Sequence, residues 1–402
     1  MANKNKRIAM VVFSIYPLDT RVRREAEALV EAGMTVDVIC LKENTKPRKE
    51  VINGVNCWRL PIKHKRTGKM RNIWEYLYFI ILSFFWLSLI HLRNRYKLVH
   101  VHNMPDVLVF SALIPRLTGA KVILDLHDPM PEVYMTKFSI NKSHPVVRLL
   151  LFLEKYSICF SNLVLTPNIA FRNLFISRGC PEAKIHIIMN SPQESIFHRT
   201  ETKNNHSIEN EDRFLIMYHG ELTTRSGYNI ALKAVDNLRE KIPNLEFHVY
   251  GDGEFKIHFL DLIGELNLNN IVTYHGVVSL ESIAVAIESI NVGIVPNRKT
   301  PFTEINLPTR IFEYLSMGKP VVVPKTKGIL DYFSEDSLHF FEAGNADNLA
   351  DAILEVYNNP SKSQAVLNRG ISVYQKHRWE VEKKKFIDLV TDLARNENHK
   401  NL

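Results

Sequence analysis

The segment that decides the fold reads Glu304-Ile-Asn306-Leu-Pro308-Thr-Arg310-Ile-Phe-Glu313-Tyr-Leu-Ser-Met-Gly318-Lys-Pro320-Val-Val-Val323. Pro308 suits the first turn of a helix, and apolar residues such as Ile311 and Leu315 recur at helical spacing. Gly318 predicts the helix end, and Pro320 prevents the helix from resuming. An apolar run follows at once, so the segment predicts a helix that leads into a buried strand of a parallel α/β sheet.

Two polar residues, Arg310 and Glu313, lie near the start of this predicted helix. The N–H groups and positive dipole end of a helix N-terminus make it a natural place for a phosphate. A carboxylate one turn further along can accept hydrogen bonds from sugar hydroxyls, such as a ribose diol. The same pattern also fits a connecting helix with ordinary surface charges, and the segment alone leaves both interpretations open.

The length and composition are typical of a globular protein with more than one domain. A chain of 402 residues with 46% apolar and 23% charged residues predicts two or three domains. The four cysteines are scattered without a C-x-x-C pair, which argues against a zinc site or a disulfide framework and favours a reducing cytoplasm. Residues 1–7 are basic but lead into a strand, so we expect no secretory signal.

The net charge of +8 is unevenly distributed along the chain. Residues 1–197 carry a net charge of +13, and the remainder carries −5. This asymmetry indicates that one half faces a polyanion, which could be a nucleic acid, an anionic membrane or a phosphate-bearing substrate.

The first half begins as a strand, a helix and a second strand, which is the start of a parallel α/β sheet. The connecting loop has no G-x-G-x-x-G motif, so we do not expect an NAD or FAD site. The predicted strands are Ile8–Phe13, Val36–Cys40, Leu98–His102, Lys121–Leu124, Asn162–Thr166 and Lys184–Met189, and the first helix is Arg21–Ala32.

Polar residues follow two consecutive predicted strands. His102 and Asn103 end one strand, and Asp125, His127 and Asp128 follow the next. Because the carboxyl ends of parallel strands line the ligand crevice of an open α/β sheet, these residues are a candidate site. The alternative is that they cap helices and make the loops soluble.

A basic segment and an apolar run interrupt this pattern. Residues 42–71 contain ten Lys and Arg against two Glu, and no charge occurs between Tyr76 and Ile90. The apolar run at 73–90 is a little short for a membrane span and very apolar for a surface helix. It therefore predicts a buried core helix, a helix in the membrane interface or, less readily, a true span.

The second half starts after a polar linker at residues 198–213. Each of its strands has glycine or proline at the carboxyl end, where glycine lets the backbone approach a ligand closely. Two α/β halves of similar size predict a cleft between domains 1–197 and 214–375, with a final helix at 376–402 packing back toward the first domain. The predicted strands are Phe214–His219, Glu246–Tyr250, Ile271–Tyr274 and Val292–Val295.

A series of short motifs runs in fixed order through both halves. In the first half they are Asp19 to Glu25, Val101 to Asn103 and Asp125 to Asp128. In the second they are His219-Gly220 with Arg225 and Gly227, then Gly251-Asp252-Gly253, Tyr274-His275-Gly276, Val295-Pro296, Leu307 to Tyr314 and Gly318-Lys319-Pro320. In order and spacing these motifs resemble the retaining GT-B glycosyltransferases of family 4, of the bacterial surface-polysaccharide type, over most of the chain.

The resemblance implies two Rossmann-like parallel-sheet domains that face a central cleft. It implies transfer of a sugar from a nucleotide-diphosphate sugar with retained anomeric configuration, without a metal or a cofactor. The implied catalytic residues are His127, Asp128 and Glu304. The implied substrate-binding residues are Asp19, Arg21, His102, Asn103, Gly220, Arg225, Gly276, Val278, Asn306, Leu307, Arg310 and Glu313.

Individual roles follow from the same resemblance. Glu313 occupies the position that binds the nucleotide ribose, and Gly220 lets the backbone approach the donor diphosphate. The loop from Gly276 to Val278 is implied to hold the base. His127 occupies the place of the family's histidine beside the transferring sugar.

The sequence departs from the family pattern in the donor site. The family's paired glutamates lie eight residues apart, but Ile305 is eight residues before Glu313, and Glu304 is one residue too early. Either Glu304 reaches the sugar through a local shift, or Asn306 or the loop backbone replaces it. Glu221 and Ser226 stand where the family commonly has cations, so we expect Arg225 and Arg310 to face the diphosphate.

These observations favour a glycosyltransferase on the cytoplasmic face of the cell membrane, associated peripherally with an anionic surface. Its expected partners are a nucleotide sugar and a lipid-linked or oligosaccharide acceptor. A nucleotide-sugar 2-epimerase of the same fold is one alternative, and a non-catalytic membrane- or nucleic-acid-binding protein is another. The basic segment lacks the interleaved aromatic residues of a stacking platform, so we expect no nucleic acid partner.

Overall fold

The computed structural model describes residues 6–43, 46–62, 69–198 and 213–395, which form two compact units. The first unit is Met1–Asn190 with Val381–Leu402, and the second is Ser191–Glu380. The predicted domain limits at 197 and 375 differ from these limits by a few residues. The predicted linker at 198–213 lies outside the described residues except for its two end residues.

The first unit is built on an eight-stranded sheet in the order β3-β4-β2-β1-β5-β6-β7-β8. Its strands are β1 Arg7–Val11, β2 Thr35–Leu41, β3 Lys49–Ile52, β4 Val55–Leu60, β5 Leu98–His102, β6 Lys121–Asp125, β7 Leu163–Thr166 and β8 Ile185–Ile187. Neighbouring strands are parallel except β3 and β4, which form an antiparallel hairpin at the edge. Nearly every residue of β1, β2 and β5 is buried, as expected for strands covered on both faces.

Helices cover this sheet and include one from the end of the chain. They are α1 Thr20–Glu31, α2 Lys69–Asn94, α3 Leu113–Leu117, α4 Met130–Phe138, α5 Pro145–Phe160 and α6 Ile169–Ser177, with a 3-10 helix at Asp106–Ala112. The last described helix is Trp379–Arg395. Its Phe386 and Val390 are fully buried in the core of the first unit.

The second unit contains a six-stranded parallel sheet in the order β11-β10-β9-β12-β13-β14. The strands are β9 Phe214–His219, β10 Leu245–Tyr250, β11 Val272–Gly276, β12 Val292–Ile294, β13 Val321–Pro324 and β14 His339–Phe341. The helices are α7 Tyr228–Leu238, α8 Lys256–Glu265, α9 Leu280–Glu288, α10 Thr309–Ser316, α11 Lys327–Leu330, α12 Ala346–Asn358 and α13 Pro360–Lys376; the helix at 379–395 is α14. This order, third, second, first, fourth, fifth and sixth, is that of the doubly wound Rossmann sheet.

The helix and strand predicted from the opening segment are confirmed. Pro308 is the N-cap of α10, and Gly318 follows its C-cap in a left-handed conformation, with φ of 70°. Ile311 and Phe312 are fully buried, each contributing about 1.5–3 kcal/mol of burial free energy. The strand β13 follows directly and is buried along its whole length.

The hairpin β3–β4 was not predicted, because it lies inside the basic segment. In β3, Lys49 and Val51 are exposed while Glu50 and Ile52 are partly buried, so each face of the strand carries one charged and one apolar residue. The sequence of β3 therefore shows no apolar period of two. The Glu50 carboxylate forms an ion pair of 2.8 Å with the buried guanidinium of Arg59. The ion pair links the two strands of this edge hairpin.

The apolar run forms the middle of α2, which is not a buried core helix. Phe79, Ser83 and Leu87 are fully buried on one face. From Trp74 to Asn94 the helix is long and apolar enough to cross a membrane by length and composition, yet only 28% of that stretch is buried. An apolar face therefore remains exposed, formed by Trp74, Leu77, Tyr78, Ile81, Phe85, Leu89 and Leu92.

Candidate active site

In the first unit, the polar residues predicted at two strand ends lie side by side. His102 of β5 pairs in register with Asp125 of β6, at the carboxyl ends of these strands. The helix α1 brings Arg21 to the same place, and its N-cap Asp19 accepts a hydrogen bond from the backbone N–H of Val22. Three motifs that are far apart in sequence therefore meet at one edge of the sheet.

A buried ion pair between Arg21 and Asp125 organises this edge. The Arg21 guanidinium donates to both carboxylate oxygens, at 2.6 and 2.9 Å, and also to the carbonyl of Ile188. Burial alone would raise the pKa of Asp125, but Arg21, followed by the hydrogen bond from His102, holds that pKa well below its ordinary value. The carboxylate is therefore ionised and paired at neutral pH.

Behind the ion pair lie Glu25 and His100, whose side-chain polar atoms have no hydrogen-bond partner in the described part of the chain. With His102 and Asp125 they form a group whose ligand atoms lie within 4.8 Å of one another, a spacing that suits a metal ion. The Arg21 guanidinium, however, already occupies both oxygens of Asp125. Burial raises the pKa of Glu25 to about 7, partly offset by Arg21, so much of this carboxyl is protonated near neutrality.

His102 and Asn103 contact protein groups. His102 is fully buried, and its Nδ1 lies 3.1 Å from Asp125. The Asn103 amide donates to the carboxylate of Asp106 and to the carbonyl of Asp128, and its oxygen accepts from the backbone N–H groups of His127 and Asp128. These contacts position the loop after β6. Direct substrate binding by Arg21, His102 or Asn103 stays a prediction.

His127 is the half-buried member of this group with a free ring nitrogen. Its Nδ1 atom has no hydrogen-bond partner among the described residues, while its backbone is held by Asn103. Its ring lies 6.4 Å from that of His102, centroid to centroid. A fixed imidazole with an unpaired nitrogen at a strand end can donate to, or accept from, a sugar hydroxyl.

In the second unit, Gly220 and Arg310 lie together at the end of β9. Gly220 has φ of 135°, and a Cβ at this position would lie 2.3 Å from Nη2 of Arg310. The guanidinium stacks over the Tyr218 ring at 4.8 Å, and its Nη1 is buried with no hydrogen-bond partner in the described chain. The guanidinium of Arg310, with an unpaired N–H donor, therefore lies beside the backbone of Gly220, where no side chain blocks access.

Glu313 lies one turn into α10, and its carboxylate contacts the last residue of β9. Its Oε2 is 2.5 Å from Nε2 of His219, and Nδ1 of the same histidine is 3.0 Å from the Tyr314 hydroxyl. The sequence motif included His219 but assigned it no role. Its spacing from Glu313 gives no sequence signal, because only the parallel sheet brings the two residues together.

The other residues predicted to bind the sugar donor each contact different neighbours. Arg225 lies over the Phe302 ring at 5.0 Å and 3.6 Å from the Glu221 carboxylate, so its charge is partly compensated. Glu304 is 3.3 Å from the Lys299 ammonium. Asn306 is partly exposed, and Leu307 is 8% exposed just before α10.

The loop after β11 is open. Gly276 has φ of 71°, and a Cβ there would meet nothing within 4 Å. Val277 is 74% exposed and Val278 is half-buried. The loop has space beside its backbone, as a base-binding loop needs, and base binding by Gly276 and Val278 stays a prediction.

Comparison with known protein families covers both units. Residues 18–191 match the family described as glycosyl transferase 4-like domain, and residues 199–372 match glycosyl transferases group 1. The two matches follow one another along the chain in the positions of the two units.

Two curated relatives are glycosyltransferases by name. The chain is 22% identical to a sulfoquinovosyl transferase of Arabidopsis thaliana over 251 residues, which is 61% of this chain and 46% of that protein. The chain thus spans less than half of this relative. It is 21% identical over 386 residues to the chitobiosyldiphosphodolichol beta-mannosyltransferase of Debaryomyces hansenii, covering 89% of this chain and 80% of the relative.

Solved structures show the same fold at low sequence identity. Sucrose-phosphate synthase from Thermosynechococcus elongatus has a TM-score of 0.79 and 18% identity, with 96% of this chain and 99% of that chain covered. HepE of Anabaena, solved with UDP and glucose, has a TM-score of 0.72 and 14% identity over 96% and 100% of the two chains. The chain is therefore a glycosyltransferase of the group 1, family 4 type with the GT-B fold.

Proposed function

We propose that the protein transfers a sugar from a nucleotide-diphosphate sugar to a lipid-linked or oligosaccharide acceptor. The transfer retains the anomeric configuration, uses no metal ion and takes place at the cytoplasmic face of the cell membrane, in the synthesis of surface polysaccharide. The observation that best supports this proposal is that Arg310 lies beside the backbone of Gly220, which has no side chain. Glu313 lies next to Arg310, on the same turn of α10. This arrangement supplies a cation for a diphosphate and a carboxylate for a ribose.

The donor assignment gains support from two structural neighbours. HepE was solved with UDP-glucose, and the catalytic domain of a starch synthase of Arabidopsis thaliana was solved with ADP and acarbose. The two neighbours bind different bases on the same fold, so UDP, ADP and GDP sugars all belong in a donor screen. In the transition state the leaving diphosphate gains negative charge, which the fixed guanidinium of Arg310 would stabilise.

The acceptor assignment gains support from the surface of the first unit. The helix α2 packs against α3 and the 3-10 helix Asp106–Ala112, and α5 packs against the same 3-10 helix. The α5 helix also exposes Leu149, Phe152 and Tyr156. The term apolar surface is used below for three groups of exposed residues together. They are the apolar face of α2, Leu117 of α3, and these three residues of α5. The name of the Debaryomyces relative indicates an acceptor on a dolichol diphosphate, which is a lipid-linked saccharide.

The basic segment adds charge complementarity to this surface. Lys49 in β3 and Arg71 at the start of α2 are exposed members of this segment, and Arg71 is paired with Glu75 at 2.9 Å. Outside the segment, Arg93 is exposed at the other end of α2. A cation close to an anionic leaflet contributes roughly 1 kcal/mol, which salt screens. Exposed aromatic and aliphatic side chains such as Trp74 and Phe85 bury apolar area at the interface.

We expect the protein to bind vesicles that contain phosphatidylglycerol and to detach from them in high salt. Replacing Leu77, Phe85 and Leu89 with glutamate should abolish binding, because each exposed apolar side chain would become a charge at the interface. Ile257→Glu with Val285→Glu is the matched control, since both residues are exposed and lie in the second unit. The assay is vesicle co-sedimentation across a salt series.

A second variant tests the charge contribution. Replacing Lys63, Lys65, Arg66 and Lys69 with glutamine should weaken vesicle binding and leave nucleotide affinity intact. The first three of these residues lie outside the described residues. A protein that stays in the supernatant at low salt would contradict the membrane assignment and favour a soluble acceptor.

The reaction itself is tested by incubating the protein with UDP, ADP and GDP sugars, with and without a polyprenyl-diphosphate-linked saccharide. We expect release of nucleoside diphosphate only when the acceptor is present. The proton NMR spectrum of the product should show the same anomeric configuration as the donor. Conversion of the donor sugar to its 2-epimer without any acceptor would instead identify the epimerase alternative.

A further inference from the structure

His219 is the last residue of β9 and faces α10 with both nitrogens of its ring. Only 9% of the residue is exposed. Nε2 lies 2.5 Å from Oε2 of Glu313, and Nδ1 lies 3.0 Å from the hydroxyl of Tyr314. A single side chain thus links the end of the central strand to two consecutive residues of the helix that bears the proposed ribose ligand.

The hydrogen atoms of this group can be assigned from its partners. The Tyr314 hydroxyl has one hydrogen, which it donates to the carbonyl of Met217 at 3.0 Å. Its oxygen also lies 3.0 Å from Nδ1 of His219. Nε2 faces an oxygen of the Glu313 carboxylate, which can only accept a hydrogen bond. Nε2 is therefore the donor in the contact between His219 and Glu313.

This pairing uses one oxygen of Glu313 and leaves the other available. Oε1 has no partner among the residues that the structure describes, and the side chain is 14% exposed. A carboxylate with one oxygen fixed has its second oxygen held in a defined direction. Close by, the guanidinium of Arg310 lies over Tyr218 on the preceding residue of β9.

We propose that His219 is a positioning residue for the ribose-binding carboxylate. It holds Oε2 of Glu313 so that Oε1 is directed at the ribose hydroxyls. This inference rests on the proposed function, because it takes Glu313 to be the ribose ligand.

The test compares variants that differ in the hydrogen bonds they can donate. His219→Phe keeps a ring and removes both ring nitrogens, whereas His219→Gln places an amide N–H near the position of Nε2. UDP, ADP and GDP are first ranked by isothermal titration calorimetry. The best binder and its 2′,3′-dideoxy counterpart are then measured against each variant, so that the contribution of the ribose hydroxyls is isolated.

His219→Phe is expected to lower affinity for the ribonucleotide about tenfold, as the loss of one hydrogen bond to a charged group does. Affinity for the dideoxynucleotide should change less than about twofold, because that ligand has no hydroxyls for Glu313 to bind. His219→Gln should recover most of the affinity. The double variant His219→Phe/Glu313→Gln should bind no more weakly than Glu313→Gln alone, because both changes remove the same interaction.

The outcomes separate this inference from the function on which it rests. If Glu313→Gln weakens ribonucleotide binding but His219→Phe does not, the positioning role is wrong and the ribose site stands. Equal losses for the two nucleotides, or losses that add in the double variant, also overturn the role. If Glu313→Gln itself has no effect, both the ribose assignment and the inference fail. If His219→Phe does not fold, His219→Gln is compared with His219→Asn. The asparagine amide matches the position of Nδ1 and not that of Nε2, so only the glutamine variant should keep ribonucleotide affinity.

Discussion

His127→Ala is expected to lower the rate of sugar transfer by about 100-fold or more, with nucleoside diphosphate affinity nearly unchanged. The reason is the position of this side chain. The backbone of His127 is fixed by Asn103, and its Nδ1 has no protein partner in the described chain. A fixed donor or acceptor that acts on charge developing in the transition state contributes to turnover and not to ground-state binding.

The measurement separates these two quantities. Initial rates with saturating donor and acceptor give turnover, and titration calorimetry with the nucleoside diphosphate gives affinity. His258→Ala is a suitable control, since this histidine is exposed on α8 of the second unit. Normal turnover in His127→Ala would remove His127 from the site, and an equal loss of nucleotide affinity would indicate a folding defect.

The α/β pattern could be predicted from the sequence because it depends on local signals. The strands Leu98–His102 and Phe214–His219 were predicted with the observed limits, since both are short apolar runs bounded by polar or glycine residues. The hairpin β3–β4 and the strand β14 were missed. The three residues of β14, His339–Phe341, are too few to show a period.

The candidate site residues were predicted from motif order, but their contacts could not be predicted. Arg21 and Asp125 are 104 positions apart, and their bidentate ion pair exists only because α1 and β6 reach the same edge of the sheet. Asn190, which accepts hydrogen bonds from Arg21 and Arg24, appeared in no motif. Such partners depend on strand order, which one sequence does not reveal.

The two arginines that the sequence treated alike differ in the structure. Arg225 faces the carboxylate of Glu221, and both side chains are partly exposed, at 32% and 43%. Arg310 is stacked on Tyr218 beside the open backbone of Gly220, with Nη1 unpaired among the described groups. In the sequence, each of these two arginines is simply a cation near a glycine-containing loop. Only the packing shows which of the two charges is available to a ligand.

Arg310→Ala is therefore expected to lower affinity for a nucleoside diphosphate by about 1.5–3 kcal/mol, the range for a hydrogen bond to a charged group. The affinity for the corresponding nucleoside should change little, because a nucleoside has no phosphate for the guanidinium to contact. Calorimetric titration of UDP, ADP and GDP, each against its nucleoside, measures both values.

Arg225→Ala is the matched control for this prediction, because it removes the same side chain from the neighbouring turn Thr224–Ser226. We expect it to cost less than about 1 kcal/mol, since a partly exposed arginine beside a carboxylate is already screened. Equal losses for the two variants would mean that Glu221 releases Arg225 when the donor binds. A larger loss for Arg225→Ala would place the diphosphate at the turn after β9 and not at α10. A loss in Arg310→Ala that is the same for nucleoside and nucleotide would mean that Arg310 supports Tyr218 and Gly220 without contacting phosphate.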